Sequence, residues 1–162
     1  MCIVIFMNSF TRFLFPENIL LDLEASDVAD VFAHIATLME RQHQIDRALV
    51  FEGLCTREQW GSTALGEGWA IPHAQIAALS RPMTLFVRVT RPVSFGSSDE
   101  KKLVSGMFVL LVPRDGIQEH LQMLAEVAEM LCDPVFRERL ANSRDVREIQ
   151  YLCQRWPEEA WP

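Results

Sequence analysis

Two strongly apolar segments, residues 83–89 and 107–112, place the tightest limit on how this chain can fold. Both are rich in β-branched and large apolar side chains and are bounded by proline or glycine, which is typical of buried strands. Apolar side chains also recur at helical spacing in residues 27–42 and 117–131, which predicts two amphipathic helices around those strands. Strands that alternate with helices in this way predict an α/β sandwich.

Local signals place further elements around these four. Ile19–Leu23 is a short apolar run, and Ser26 after it is expected to cap the first helix. Asp46 is expected to cap a second helix that runs through Cys55 and ends near Arg57. The other predicted features are a short helix starting at 133–134, a last helix from about residue 144, and an exposed loop with a short strand or bulge over 91–102.

The composition fits one compact domain. The chain has 162 residues, of which 49% are hydrophobic, so it can bury a sizeable core. A net charge of −7 disfavours nucleic acid and anionic membranes as partners, whereas a basic protein partner is compatible. The four cysteines show neither CxxC spacing nor the pattern of a small secreted domain, so we expect thiols in a reducing cytoplasm.

The predicted organisation is an N-terminal extension (1–13), one domain (14–156) and a C-terminal tail (157–162). The apolar stretch 1–15 is too short to span a bilayer and lacks a basic start, so it is not expected to be a signal peptide. Either Met7 is the true translation start, or residues 3–6 add an edge strand or an interface contact. The prolines of the closing WPEEAWP stop the last helix, which leaves Trp156 or Trp161 to dock on a partner or on the domain itself.

The most informative segment, residues 56–74, reads TREQWGSTALGEGWAIPHA. It presents His73 directly after a proline that fixes its own φ, beside glycines that let backbone N–H groups approach an anion. Ser62 and Thr63 offer hydroxyl donors, and Arg57 offers a planar cationic fork suited to phosphate. This combination predicts an imidazole that handles phosphate.

Each of these residues also has an ordinary structural explanation. His73 could end a strand and hydrogen-bond locally. Ser62 and Thr63 could be turn or cap residues, and Arg57 could complement the dipole of a solvated helix end. In the phosphate-handling case, the ring must attack through an unprotonated nitrogen while an acceptor keeps the proton on the other one. We therefore expect a carbonyl or carboxylate beside His73.

The same segment resembles the active-site signature of the enzyme IIA domains of the bacterial phosphoenolpyruvate-dependent phosphotransferase system, of the fructose/mannitol type. Within that superfamily it is most similar to nitrogen-regulatory enzyme IIA. The places of the family pattern are held by Arg57, Glu58, Gly61, Ser62, Thr63, Ala70, Ile71, Pro72 and His73. The resemblance covers about residues 14–156 and continues into MFVLLVPRDGIQEHLQMLAEVAEML, where the family's second histidine matches His120.

This resemblance implies a small mixed β-sheet flanked by helices and a role as a stoichiometric phosphohistidine carrier. His73 would accept a phosphoryl group from an HPr-like histidine phosphocarrier protein, with His120 and Arg57 as its supports. The acceptor downstream would be a regulatory target protein or an enzyme IIB. No cofactor and no metal are implied, the location would be cytoplasmic, and the chain would be a monomer or a weak dimer.

Two positions set the chain apart within that pattern. Glu67 stands where mannitol-type members carry an acidic residue and nitrogen-regulatory ones often carry Asn, and it is grouped with Ser62 and Thr63 as a support of the phosphate loop. Ala74 stands where many members have glycine, so the backbone there is less free to adopt positive φ.

Three classes of function follow from these observations. The leading one is a phosphocarrier of the regulatory nitrogen branch, with a sugar-specific enzyme IIA of the fructose/mannitol type as the alternative. The second is a regulatory binding module, because a phosphoryl group on the histidine changes the surface charge by nearly two units. A hydrolase or metal site that uses His73 and His120 is disfavoured, because the sequence offers neither a ligand set nor a nucleophile with a base at a suggestive spacing. Three apolar residues could form a ring around His73 for a partner or could belong to the core, and we expect a mixture in which Trp69 is exposed: Trp60, Leu65 and Trp69.

Overall fold

The computed structural model describes residues 9–156. Residues 1–8 and 157–162, and with them the predictions for residues 3–6, Met7 and Trp161, lie outside the described residues. The elements in chain order are β1 (Ile19–Leu23), α1 (Val28–His43), α2 (Arg47–Trp60), β2 (Ala64–Gly66), β3 (Trp69–Ala70), β4 (His73–Gln75), β5 (Met83–Phe95), β6 (Lys102–Val112), α3 (Ile117–Leu131), α4 (Pro134–Asn142) and α5 (Val146–Arg155).

A long antiparallel hairpin of β5 and β6 forms the centre of the sheet. On one side β1 pairs in parallel with β5, and on the other side β3 and β4 both pair in parallel with β6. The short strand β2 closes that second edge against β3. Within the described residues the sheet is therefore mixed and six-stranded, with helices around it, and the predicted fold class is confirmed.

The sheet separates two apolar cores. Side chains that alternate along a strand point to opposite faces, so Leu85 joins the core under α1 and α2, whereas Phe86 and Phe108 join the core that includes α3, α4 and α5. Phe10 is fully buried in the second core, with its ring edge-on to that of Phe108 at a centroid distance of 5.1 Å. Residues 9–13, which the sequence assigns to the extension, thus pack on the domain.

The first two helices begin at carboxylate caps. Asp27 caps α1, because its Oδ1 accepts the backbone N–H of Asp30 at 2.7 Å. The prediction of Ser26 as this cap is wrong: Ser26 instead donates its backbone N–H and its hydroxyl to the Asp30 carboxylate. Asp46 caps α2 as predicted, accepting from the backbone N–H of Ala48 at 2.8 Å. Each cap satisfies a donor that the first helical turn leaves unpaired.

Half of the segment 91–102, predicted as a loop with a short strand or bulge, is strand. Pairing of β5 with β6 resumes at Val93 after a register shift that begins at Arg88, and only residues 96–101 connect the two strands. The reason is burial: Val93 and Phe95 point into the first core and are almost fully shielded from solvent. Apolar packing therefore overrides the turn-rich composition of this segment.

The helices after β6 agree with the sequence. α3 has the predicted bounds, and α4 and α5 begin close to the predicted positions. Of the helices before the sheet hairpin, α2 continues to Trp60, beyond its predicted end. Within residues 9–156, no helix combines the length and the apolar character that crossing a bilayer would require.

Candidate functional site

His73 is the first residue of β4 and pairs with Leu110 of β6. Its Nδ1 lies 2.8 Å from the carbonyl oxygen of Ile71. Since a carbonyl only accepts hydrogen bonds, Nδ1 must carry the proton and donate it. The expected acceptor beside His73 is thereby confirmed, and Nε2 keeps its lone pair.

Arg57 approaches the same imidazole from the last turn of α2. Its Nε–H donates to Nε2 of His73 at 3.1 Å, and its Nη1 donates to the carbonyl oxygen of Gly61 at 2.8 Å. The second bond anchors the guanidinium to the turn that follows the helix. The two hydrogen bonds of the His73 ring therefore agree on one neutral tautomer, with the proton on Nδ1 and the lone pair on Nε2.

A close approach of α2 to β4 makes this contact possible. Gly53 faces β4 one helical turn before Arg57, and a Cβ there would lie 3.0 Å from Cδ1 of Ile76 and 3.3 Å from Cβ of Ala74. The helix is thus held nearer the strand than a side chain at this position would allow. Ala74 itself is buried in extended β4 and does not adopt positive φ, so glycine is not needed there.

His120 lies in the first turn of α3, beside His73. The two rings are 5.5 Å apart between centroids and meet edge to face at 77°. Nε2 of His120 is shielded from solvent and has no hydrogen-bond partner among the described residues. Because buried polar atoms are nearly always paired, this nitrogen is the one group of the site that the free protein leaves unsatisfied within the described part of the chain.

Both histidines favour the neutral form. Burial lowers the pKa of His73; the charge of Arg57 adds to that effect, whereas the hydrogen bond to Ile71 and the carboxylate of Glu58 oppose it. Burial also lowers the pKa of His120, and the nearby His73 and Arg57 lower it further by smaller amounts. A neutral ring is the form that can act as a nucleophile.

The two hydroxyl residues of the loop do different things. Thr63 is buried, and both its backbone N–H and its hydroxyl donate to the carboxylate of Glu58, at 2.9 and 2.7 Å. Its hydroxyl proton is therefore not available to a phosphoryl group, contrary to the expectation from the sequence. Ser62 is exposed and its Oγ accepts the backbone N–H of Ala64 at 3.2 Å, which leaves its own proton free to donate.

Glu67 does not reach the site. It occupies the turn between β2 and β3 with φ of 56°, followed by Gly68 with φ of 85°, and it borders a groove with Asp22 and Arg88. At that end β3 pairs with Gly106, four residues before the partner of His73 on β6. Four residues of strand span about 13 Å, so the predicted grouping of Glu67 with the phosphate loop is wrong.

The predicted apolar ring is corrected in one member. Trp69 is only 6% exposed, because its indole packs closely on Gly106 and against Phe86, so it belongs to the core. Trp60 is 79% exposed at the end of α2, and Leu65 is 49% exposed on β2. Gly106, on the neighbouring strand β6, leaves the space that the indole fills. The residues next to Trp69 in the sequence give no indication of this space.

The residues that the structure brings together are thus His73, Arg57, His120 and Glu58. Sequence reasoning missed the part of Glu58, although its place next to Arg57 in the family pattern was visible. In the described range 9–156, no three His, Cys, Asp or Glu side chains converge as metal ligands. The arrangement can present one imidazole lone pair together with nearby hydrogen-bond donors, which suits the capture of an anionic electrophile.

Comparison with known proteins assigns the family. The model of the phosphoenolpyruvate-dependent sugar phosphotransferase system EIIA 2 family matches residues 12–156, and the chain belongs to that family. It is therefore a IIA component of a phosphotransferase system, a class of phosphotransfer carrier. The resemblance seen in the sequence is confirmed.

Similar proteins narrow the comparison further. A nitrogen regulatory protein of Bradyrhizobium diazoefficiens is 37% identical over 140 residues, which cover 86% of this chain and 90% of that one. The crystal structure of nitrogen regulatory protein IIA-Ntr from Neisseria meningitidis superposes with a TM-score of 0.82 at 35% identity, covering 88% of this chain and 97% of that one. Enzyme IIA mannitol of Escherichia coli, in its complex with phosphorylated enzyme IIB mannitol, shares the fold with a TM-score of 0.70 at 22% identity, over 85% and 94% of the two chains.

Proposed function

We propose that this protein accepts a phosphoryl group on Nε2 of His73 from an HPr-like histidine phosphocarrier protein. The observation that carries the proposal is the bond from Nδ1 to the carbonyl oxygen of Ile71, which leaves the lone pair on Nε2. In the transfer, the bond from Nε2 to phosphorus forms as the donor's nitrogen–phosphorus bond breaks. The proton on Nδ1 stays in place, so no general base is required.

Arg57 changes partners in this step. In the free protein its Nε–H occupies the lone pair of His73 Nε2, at 3.1 Å. As phosphorus arrives at that nitrogen, the N–H loses its acceptor and turns to a phosphoryl oxygen, which is the stronger, charge-assisted acceptor. The charge of Arg57 then offsets the negative charge of the transferred group, as transition states of phosphoryl transfer require.

His120 and Ser62 supply the remaining support. The unpaired Nε2 of His120 lies beside the ring of His73, where a protonated Nε2 would donate to a phosphoryl oxygen. Ser62 has a hydroxyl proton that its hydrogen bond to Ala64 does not use. We place Thr63 outside this group because its hydroxyl is committed to Glu58.

The docking surface of the proposal includes Trp60, which follows Arg57 at the end of α2, and Leu65 on β2, whose side chains are both exposed. Exposed aromatic side chains commonly anchor protein–protein contacts. A phosphoryl group adds about −1.5 to −2 charges at neutral pH, so loading His73 changes the charge at the centre of this surface. A partner that prefers one state over the other would in this way read the phosphorylation state.

We favour a regulatory role in a nitrogen-branch phosphotransferase system over sugar uptake. Support comes from nitrogen regulatory proteins, which resemble this chain over most of its length at 35–37% identity. The alternative is a sugar-specific IIA that passes phosphate to an enzyme IIB, as the family description and the mannitol complex suggest. In either role the chemistry at His73 is the same.

The test is phosphorylation by phosphoenolpyruvate with purified enzyme I and phosphocarrier proteins of each branch, followed by intact mass. We expect one acid-labile phosphate on the wild type, none on His73→Ala, and slower loading of His120→Ala. Faster loading by the nitrogen-branch donor supports the regulatory role, and faster loading by the sugar-branch donor supports the alternative. A wild type that gains no phosphate from either active donor would refute the carrier function.

A further inference from the structure

A circuit of hydrogen bonds and short chain segments links the two ring nitrogens of His73. Nδ1 of His73 donates to the carbonyl oxygen of Ile71, whose own N–H donates to the carbonyl oxygen of Thr63 at 3.1 Å. Thr63 donates to the carboxylate of Glu58. Glu58 adjoins Arg57 in the chain, and Arg57 closes the circuit at Nε2 of His73. Nδ1 and Nε2 of His73 are therefore the two ends of one connected path, which fixes the orientation of the imidazole.

The contact between Glu58 and Thr63 is the side-chain clamp in this circuit. Oε1 of Glu58 accepts the backbone N–H of Thr63 at 2.9 Å, and Oε2 accepts its hydroxyl at 2.7 Å. These charge-assisted bonds are short and strong, and they tie the last turn of α2 to the chain that enters β2. Gly61, the second anchor of Arg57, lies inside the loop that the clamp closes.

We infer that Glu58 and Thr63 are positioning residues for phosphoryl transfer, acting through Arg57 and His73 rather than on the phosphoryl group. Both donors of Thr63 and both oxygens of Glu58 are used within the clamp, so neither side chain is free for the substrate. Without the clamp, the loop that carries Gly61 keeps the backbone bond from the Gly61 N–H to the Glu58 carbonyl but loses its side-chain tie to the helix, so Arg57 is held less firmly at Nε2. The transfer readout below rests on the proposed function, whereas the spectroscopic readout does not.

The first test is NMR of the ¹⁵N-labelled protein, which needs no phosphate donor. Thr63→Val keeps the volume of the side chain and removes the hydroxyl, and Thr63→Ser restores it. We expect the Arg57 Nε–H signal to exchange with water about tenfold faster or more in Thr63→Val, and the Nε2 shift of His73 to move toward that of an imidazole without a donor. Thr63→Ser should resemble the wild type, as should the control Thr37→Val, which removes a hydroxyl bonded within α1.

The second test is single-turnover loading from the phosphorylated carrier. We expect the maximal loading rate of Thr63→Val to fall about tenfold, since small misplacements cost rates of this order. The carrier concentration for half-maximal loading should change less than about twofold, because the docking surface is untouched. Thr63→Ser should recover the rate.

The inference is overturned if folded Thr63→Val keeps both the Arg57 signal and the loading rate of the wild type. If Thr63→Val does not fold, Glu58→Met decides instead, because it keeps the length of the side chain and removes both clamp acceptors. Wild-type behaviour of that variant in both tests would likewise overturn it. A wild type that cannot be loaded at all would sink the proposed function while the NMR comparison still judges the clamp.

Discussion

Trp69 and Trp60 form a natural pair for a quantitative test, because the same side chain is buried at one position and exposed at the other. Trp69 is 6% exposed and packs on Gly106 and Phe86, whereas Trp60 is 79% exposed. Removing a buried tryptophan side chain costs about 3–5 kcal/mol. A domain of this size has a free energy of unfolding of about 5–15 kcal/mol, so Trp69→Ala should lose a large part of it.

The assay is urea unfolding followed by far-ultraviolet circular dichroism. With a slope of about 2 kcal/mol per molar urea, the expected loss lowers the midpoint of Trp69→Ala by about 2 M. Trp60→Ala should keep the wild-type midpoint within about 0.3 M, since exposed substitutions change stability by about 0.5 kcal/mol or less. Trp60→Ala should instead raise the carrier concentration needed for half-maximal loading. Equal midpoints for the two variants would refute the packing argument for Trp69.

Three further perturbations test the site and its supports. Burial lowers the pKa of His73 and the charge of Arg57 adds to that effect, so Arg57→Gln should raise this pKa. Because only the neutral ring accepts phosphate, the acid limb of the loading rate, measured from about pH 5 to 8, should then move to higher pH. An unmoved limb would speak against this contact. Gly53→Ala would place Cβ 3.0 Å from Cδ1 of Ile76 and push α2 away from β4. We expect loading to slow about tenfold, whereas the free energy of unfolding in urea should fall by no more than about 2 kcal/mol because alanine favours the helix. An unchanged loading rate would contradict the role given to this close approach. Glu67→Asn should raise the free energy of unfolding by about 0.5–1 kcal/mol, because Asn tolerates the positive φ of this turn better than Glu, and a lower urea midpoint would count against that reading.

The parts of the fold that follow from local patterns were predictable. The apolar spacing of Ile117–Leu131 gave the bounds of α3, and the Asp46 carboxylate marked the start of α2. The segment around Val93 was predictable only in part: its composition favours a loop with a short strand or bulge, and the pairing of Val93 with Val104 of β6 brings it into the core. Local signals decide an element where no long-range pairing competes with them.

The same division applies to the site. The expected acceptor for Nδ1 of His73 followed from the chemistry of the ring, and it is a carbonyl two residues away. The burial of Trp69 depends on a glycine in β6, and the engagement of Thr63 depends on the path that the chain takes after α2. Both were beyond sequence reasoning because they are set by contacts between elements. The position of His120 beside His73 could be expected only from the resemblance to a family, whereas the residues themselves already indicated Arg57.

The placement of His73 on a strand has a consequence for any partner that distinguishes its two states. Its backbone is paired with Leu110 in the sheet and its Nδ1 is tied to Ile71, and neither contact involves Nε2. The loaded and unloaded proteins should therefore offer nearly the same shape and differ mainly in electrostatic potential. At physiological ionic strength that potential reaches about 8 Å, so only partner groups near the imidazole can sense it. Added salt should erode the discrimination between the two states faster than it weakens binding itself.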